Sequence, residues 1–297
     1  ATSMNHLRTQ EVLHNLDLAD GSRWEIAAGD GEAAYIVSQL GRVMQLLTVT
    51  GGIEPHHRGV VRRILVSVDA HKSEANPLFC YSPLPSVDDS FVVCDLRSFI
   101  HSEGLYIQLM QLSLVIAREA QSRGAVLIHG ALAERDGIGV ILAAPSGTGK
   151  TTASGRLLAP WRSLCDDTTL VVRDSQGDFW AHPWPTWSRF VSGGPGGTWD
   201  VQGAVPLKGV LFLSQATEGR VERVGAGHAI SLLVECVKQA SAFMSMGRFN
   251  EEIRVLNVER FNNLCALSRV VPTHILHISL TGAFWQEIEQ MLEKSHC

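Results

Sequence analysis

The chain has 297 residues, 45% hydrophobic and 19% charged, and a formal net charge of −5. That composition fills a sizeable core and excludes a disordered chain, and the acidic balance excludes a general attraction to nucleic acid or to an anionic membrane. The six cysteines form no C-x-x-C pair, no apolar run approaches the roughly 20 residues that span a bilayer, and no signal-peptide order opens the chain, so a cytoplasmic protein with idle thiols is expected.

The opening "ATSM" is set aside as a remnant ahead of a native start at Met4. From there the runs "SRWEIAA", "RRILVSV" and "SFVVCDL", separated by Gly, Pro, His and Asp clusters, predict a small α/β N-terminal module over residues 5–100. "SEGLYIQLMQLSLVIAREAQSRG" has apolar residues at helical spacing and a stop at Gly124, and it opens a larger α/β domain over 101–297. "AVLIHGALAE", a turn at "RDGIG" and "VILAA" predict two antiparallel strands, followed by a loop and a helix from about Lys150. "SLCDD" and "TLVVRD" read as strands, and "SQGD" turns the chain into "FWAHPWP". "SRFVSGGPGGTWDVQG" carries too many glycines for a regular element and is expected to be a mobile loop. "KGVLFLS" and "HILHISL" predict further strands, and "HAISLLVECVKQASAFM" and "FWQEIEQMLEK" predict helices.

The segment "APSGTGKT" matches the phosphate-loop pattern G-x-x-x-x-G-K-[ST] at Gly149, Lys150 and Thr151, with Ala144 in place of the first glycine. Small residues let consecutive backbone N–H groups converge on phosphate oxygens, so Pro145, Ser146, Gly147, Thr148, Gly149, Lys150, Thr151 and Thr152 are the expected cradle for ATP. Lys150 would reach the β and γ phosphates, and the Thr151 hydroxyl suits a magnesium ion. The plain alternative is a turn that only joins a strand to a helix, but the pattern stands after an apolar strand and before a helix, as the cradle requires.

Two carboxylates, Asp166 and Asp167, follow at the end of a short strand, where one can hold magnesium and the other can take a proton from an attacking hydroxyl. His129, on the strand antiparallel to the one that feeds the loop, falls near the same place, and an imidazole beside a carboxylate can share its proton. Alone, the acids could cap a turn and the histidine could be structural.

In this order and spacing, "HG", a hairpin, "SGTGKT" and "DD" resemble the catalytic core of HPr kinase/phosphorylase. The whole chain, with its "HPWPTWS" and "VPLKGVLFL" segments, looks more narrowly like the HPr kinase-related proteins of peptide-modification cassettes, such as the SynChlorMet cassette protein ScmC, and more distantly like lasso-peptide precursor kinases. The resemblance implies an α/β fold with a phosphate-loop core like the HPr kinase C-terminal domain and phosphoenolpyruvate carboxykinase. It also implies an ATP- and Mg2+-dependent serine kinase acting on a peptide or small protein, with possible self-association. By carry-over Asp166 is the base, His129 supports it, Lys150 serves the phosphates, and Asp167 with Thr151 serves magnesium. Two departures limit the likeness: Thr152 stands where the kinase has an acidic residue, and the glycine-rich signature of the phosphorolytic reaction is missing, so phosphorylase activity is not expected.

Other residues have weaker claims. Arg189 and Lys208 could neutralise a phosphoryl group but read as surface charges, Trp180, Trp184, Trp187 and Trp199 could wall a substrate or cover a core edge, and His274 and His277 lack ligand spacing. Two further functions compete with the peptide kinase: an ATP-dependent module that recruits a peptide without phosphorylating it, and a kinase for a small hydroxylated metabolite.

Overall fold

The structure, a computed structural model, describes residues 11–49, 59–69, 80–83, 91–98, 102–144, 149–191, 196–245 and 250–294. The fold is mixed α/β with two sheets, in two compact units: Ala1–Arg118 with Trp187–Gln202, and Glu119–Thr186 with Gly203–Cys297. The break between them falls inside a long helix rather than at its start.

The first unit holds strands β1 (Val12–Asp17), β2 (Arg23–Ala28), β3 (Leu47–Thr48), β4 (Val61–Val68), β5 (Cys80–Pro83) and β6 (Phe91–Leu96), in the order β3-β1-β2-β4-β6-β5. Its central strands run parallel, with Ile26 beside Ile64 and Ile64 beside Val92. Each of those three side chains is at most 1% exposed, which is why these segments read as apolar runs. Helix α1 (Gly31–Val43) begins where Asp30 accepts from the Ala33 N–H at 2.8 Å and buries Ile36, Val37 and Leu40. Its glycine-rich start hid it from the pattern reading.

Helix α2 (Ser102–Gln121) ends as predicted, with Gly124 in the left-handed region at φ +100°. The second unit follows with β7 (Val126–Arg135), β8 (Ile138–Ala143), α3 (Lys150–Gly155), β9 (Arg162–Cys165), β10 (Thr168–Arg173) and β11 (Phe179–Trp184). After a single turn that belongs to the first unit, α4 (Ser188–Val191), the second unit continues with β12 (Val205–Gln215), β13 (Arg220–Arg223), α5 (Ala226–Ala240), α6 (Asn250–Val270), β14 (Thr273–Ile278) and α7 (Trp285–Lys294).

The strand order is β11-β10-β7-β8-β12-β14-β13, with β9 also on β7 and β11 also on β12. The β7–β8 hairpin turns through Asp136 and Gly137, both at positive φ, as a two-residue Asp-Gly turn requires. A core of Ala131, Leu142, Ala153, Leu211, Leu276, Ile288 and other apolar residues binds α3 and α7 to one face of this sheet.

Two expectations need correction. The described end of the glycine-rich segment is packed rather than mobile: Trp199 and Val201 are buried, and the Trp199 N–H donates to the Val43 carbonyl at 2.8 Å, because a large indole and a β-branched side chain find a core there. Residues 192–195 lie outside the described residues. The 21-residue α6 had not been expected; its apolar residues are spread around the helix and its buried stripe contains a charge, so no clear period announces it. Among the described residues no helix is long and apolar enough to cross a membrane.

Candidate functional site

Strand β7 carries His129 and Gly130 and pairs antiparallel with β8. Its histidine shares the strand face of Ala131 and Ala133, which pack in the core with α3. The glycine answers to packing: a Cβ at Gly130 would lie 2.5 Å from Ile141 Cγ2, so only glycine lets the two strands approach this closely.

Strand β8 ends at Ala143, and the chain re-enters the described structure at Gly149, held at φ +101° and ψ +22°, directly before α3. Pro145, Ser146, Gly147 and Thr148, half of the expected cradle, lie outside the described residues. The other half is present. Lys150 is 7% exposed and its Nζ donates to the Ala144 carbonyl at 2.8 Å, tying together the two ends of the loop. Burial lowers its pKa, which the negative charge of Asp167 partly restores. Thr151 and Thr152 are exposed on the first turn of α3.

The two acids do not end a strand, as "SLCDD" had implied; they form the bend between β9 and β10. Both strands pair with β7, Cys165 opposite Leu132 and Thr168 opposite His129, with a register shift of β9 between Leu132 and Ala133, so the bend interrupts the ladder opposite Gly130 and Ala131. Consecutive residues at such an interruption look different ways. Asp167 lies beside the histidine, with Oδ1 3.5 Å from His129 Nδ1, and its Oδ2 accepts from the Thr168 hydroxyl at 3.2 Å. Asp166 is buried, and its Oδ1 accepts from the Thr186 hydroxyl at 2.8 Å. His129 is therefore placed beside Asp167 rather than Asp166, correcting the expected pairing.

Burial pushes the His129 pKa down, Asp167 pulls it back up, and the Lys150 ammonium lowers it again. The net shift favours the neutral imidazole. Lys150, Asp167 and His129 thus form one electrostatic group at the end of the loop-bearing strand. Lys150 also interacts electrostatically with Cys236 of α5, a buried thiol whose pKa burial pushes up to about 11. Sequence reasoning found neither Cys236 nor Thr186, since neither belongs to a short-range pattern.

The weaker candidates have other partners or surroundings. Trp180 donates to Asp174 at 2.9 Å and Trp184 is 1% exposed, both in the second unit; in the first, Trp187 donates to Ser113 at 2.9 Å and Trp199 is buried. Lys208 is exposed, Arg189 belongs to the segment 187–202, and His277 pairs with Glu222 at 3.2 Å. Among the described residues no cluster of three His, Cys, Asp or Glu side chains could hold a metal.

A family model described as SynChlorMet cassette protein ScmC matches residues 92–293, more than half of the chain. The chain belongs to the ScmC family. The matched span of this ScmC-family chain begins within β6 and takes in every residue of the site just described. No curated protein matches it.

Proposed function

We propose that this ScmC-family chain is an ATP-dependent kinase with a phosphate-loop core of the HPr kinase type, transferring the γ-phosphate to a serine hydroxyl of a peptide or small protein. The observation that carries the reading is the grouping of Lys150, Asp167 and His129 where β8 gives way to α3. A buried ammonium next to a loop rich in small residues would attract a polyphosphate, and the neighbouring acids would supply what transfer needs next. The acceptor class follows the resemblance to kinases of peptide-modification cassettes.

The chemistry asks little covalent work of the protein. Lys150 would balance the charge on the β and γ phosphates. The exposed Thr151 hydroxyl and the Asp167 carboxylate are hard oxygen donors, a fit for Mg2+, and would hold it. Bound there, the ion supplies charge neutralisation. His129, beside Asp167 and with its pKa lowered by burial, would help keep that carboxylate oriented. Asp166, on the same bend, accepts the proton of the attacking hydroxyl.

The test is incubation of the full chain with γ-labelled ATP, magnesium and serine-containing peptides encoded beside its gene, followed by mass spectrometry. Label on a peptide serine supports the kinase. ATP binding with no label on any acceptor would favour recruitment, and label on a small hydroxylated metabolite would move the acceptor class.

A further inference from the structure

We propose that Thr186 is the positioning residue for the base, holding the Asp166 carboxylate in the orientation from which it receives the acceptor's proton; the inference rests on the kinase reading above. In a nucleophile–base pair the base needs a third group to fix its direction. The sequence offered His129 for that part, but the imidazole stands beside Asp167. Thr186 does touch Asp166: its hydroxyl donates to Oδ1 at 2.8 Å, with Thr186 5% exposed and Asp166 9% exposed.

Three features fit the part. A hydroxyl that donates to one carboxylate oxygen restricts rotation of the whole group, and in a water-poor setting that restriction is not shared with solvent. Threonine is β-branched and stiff at χ1, so the donor is itself held in place. Thr186 also follows β11 by two residues, so the donor comes from a different segment than the acids' own bend.

In the step itself, a lone pair on the acceptor oxygen forms the new bond to the γ-phosphorus. The bond from that phosphorus to the bridging oxygen breaks, with its electron pair leaving on ADP, and the hydroxyl proton passes to Asp166. Thr186 changes no bond. Its loss should therefore slow turnover without weakening ATP.

The experiment compares the full chain with T186V, T186S, D166N and the double variant T186V/D166N, measuring turnover of Mg-ATP with a pool of serine peptides and, separately, with water as acceptor. Thermal melts of each variant and ATP affinity are measured in parallel. T186V is expected to lower kcat about tenfold to a hundredfold with ATP affinity within about twofold, the range for a misplaced catalytic group. T186S should recover most of the loss, and T186V should add nothing in the D166N background. Unchanged kcat in T186V, or losses that multiply in the double variant, overturns the positioning role while the kinase reading stands. A wild-type chain that turns over ATP with neither acceptor overturns both.

Discussion

His129 Nδ1 lies 3.5 Å from Asp167 Oδ1, while the adjacent Asp166 gives its Oδ1 to the Thr186 hydroxyl at 2.8 Å. Two acids that are neighbours in the chain thus have different partners, and different partners allow different tasks. The same divergence makes their substitutions distinguishable.

Asp166→Asn should reduce phosphoryl transfer by about 10²–10⁴-fold, the usual contribution of a general base, with ATP affinity within a few fold. Asp167→Asn should instead raise the magnesium concentration needed for half-maximal turnover. Titrating turnover against magnesium for both variants checks the assignment. If Asp167→Asn loses the chemical step and Asp166→Asn does not, the two roles are exchanged.

Lys150→Ala should abolish stabilisation by nucleotide. In the unaltered chain Mg-ATP at 100 times its Kd should add about 2.7 kcal/mol, seen as a rise in melting temperature. The variant should show no rise, because on the proposed reading the ammonium that bridges to Ala144 would also meet the phosphates. An equal rise in both proteins would remove the loop from nucleotide binding.

Burial lowers the pKa of His129 below its ordinary value of about 6.5. Between the lowered folded value and about 6.5 the unfolded chain holds more protons than the folded one, so stability should rise with pH across that window. Above it the contribution is constant. His129→Gln should flatten this part of the stability–pH curve, measured by denaturant unfolding from pH 5 to 8, and NMR titration of the imidazole should give a midpoint under 6.5.

Gly130→Ala should destabilise the second unit by about 1–3 kcal/mol, the cost of overpacking a filled interior, since the new Cβ meets Ile141 Cγ2 at 2.5 Å. Chemical denaturation reads it directly. A neutral result would mean that β7 and β8 separate easily, leaving the His-Gly pair without its packing explanation.

Much of the fold was readable because its signals are local. The Asp-Gly pair at 136–137 demanded positive φ at both positions and received it, Gly124 closed α2, and the apolar runs of β8 and β12 are strands buried in the sheet. Helix α6 escaped because its buried stripe, Leu256, Arg260, Leu264 and Leu267, contains a charge, while Val255, Val258, Phe261 and Val270 are exposed on other faces and blur the period. The "SRFVSGGPGGTWDVQG" segment misled because glycine content speaks for backbone freedom, whereas Trp199 and Val201 answer to a core formed by residues some 150 positions earlier.

By itself the sequence named the candidates that short-range spacing can mark: a lysine and small residues between a strand and a helix, an imidazole one strand away, and a pair of acids. Only the tertiary structure decided which acid stands beside the histidine and that a threonine twenty residues on stands beside the other. The reason is geometric: a bend in a paired strand sends consecutive side chains apart, and what each meets depends on strands brought together from distant parts of the chain.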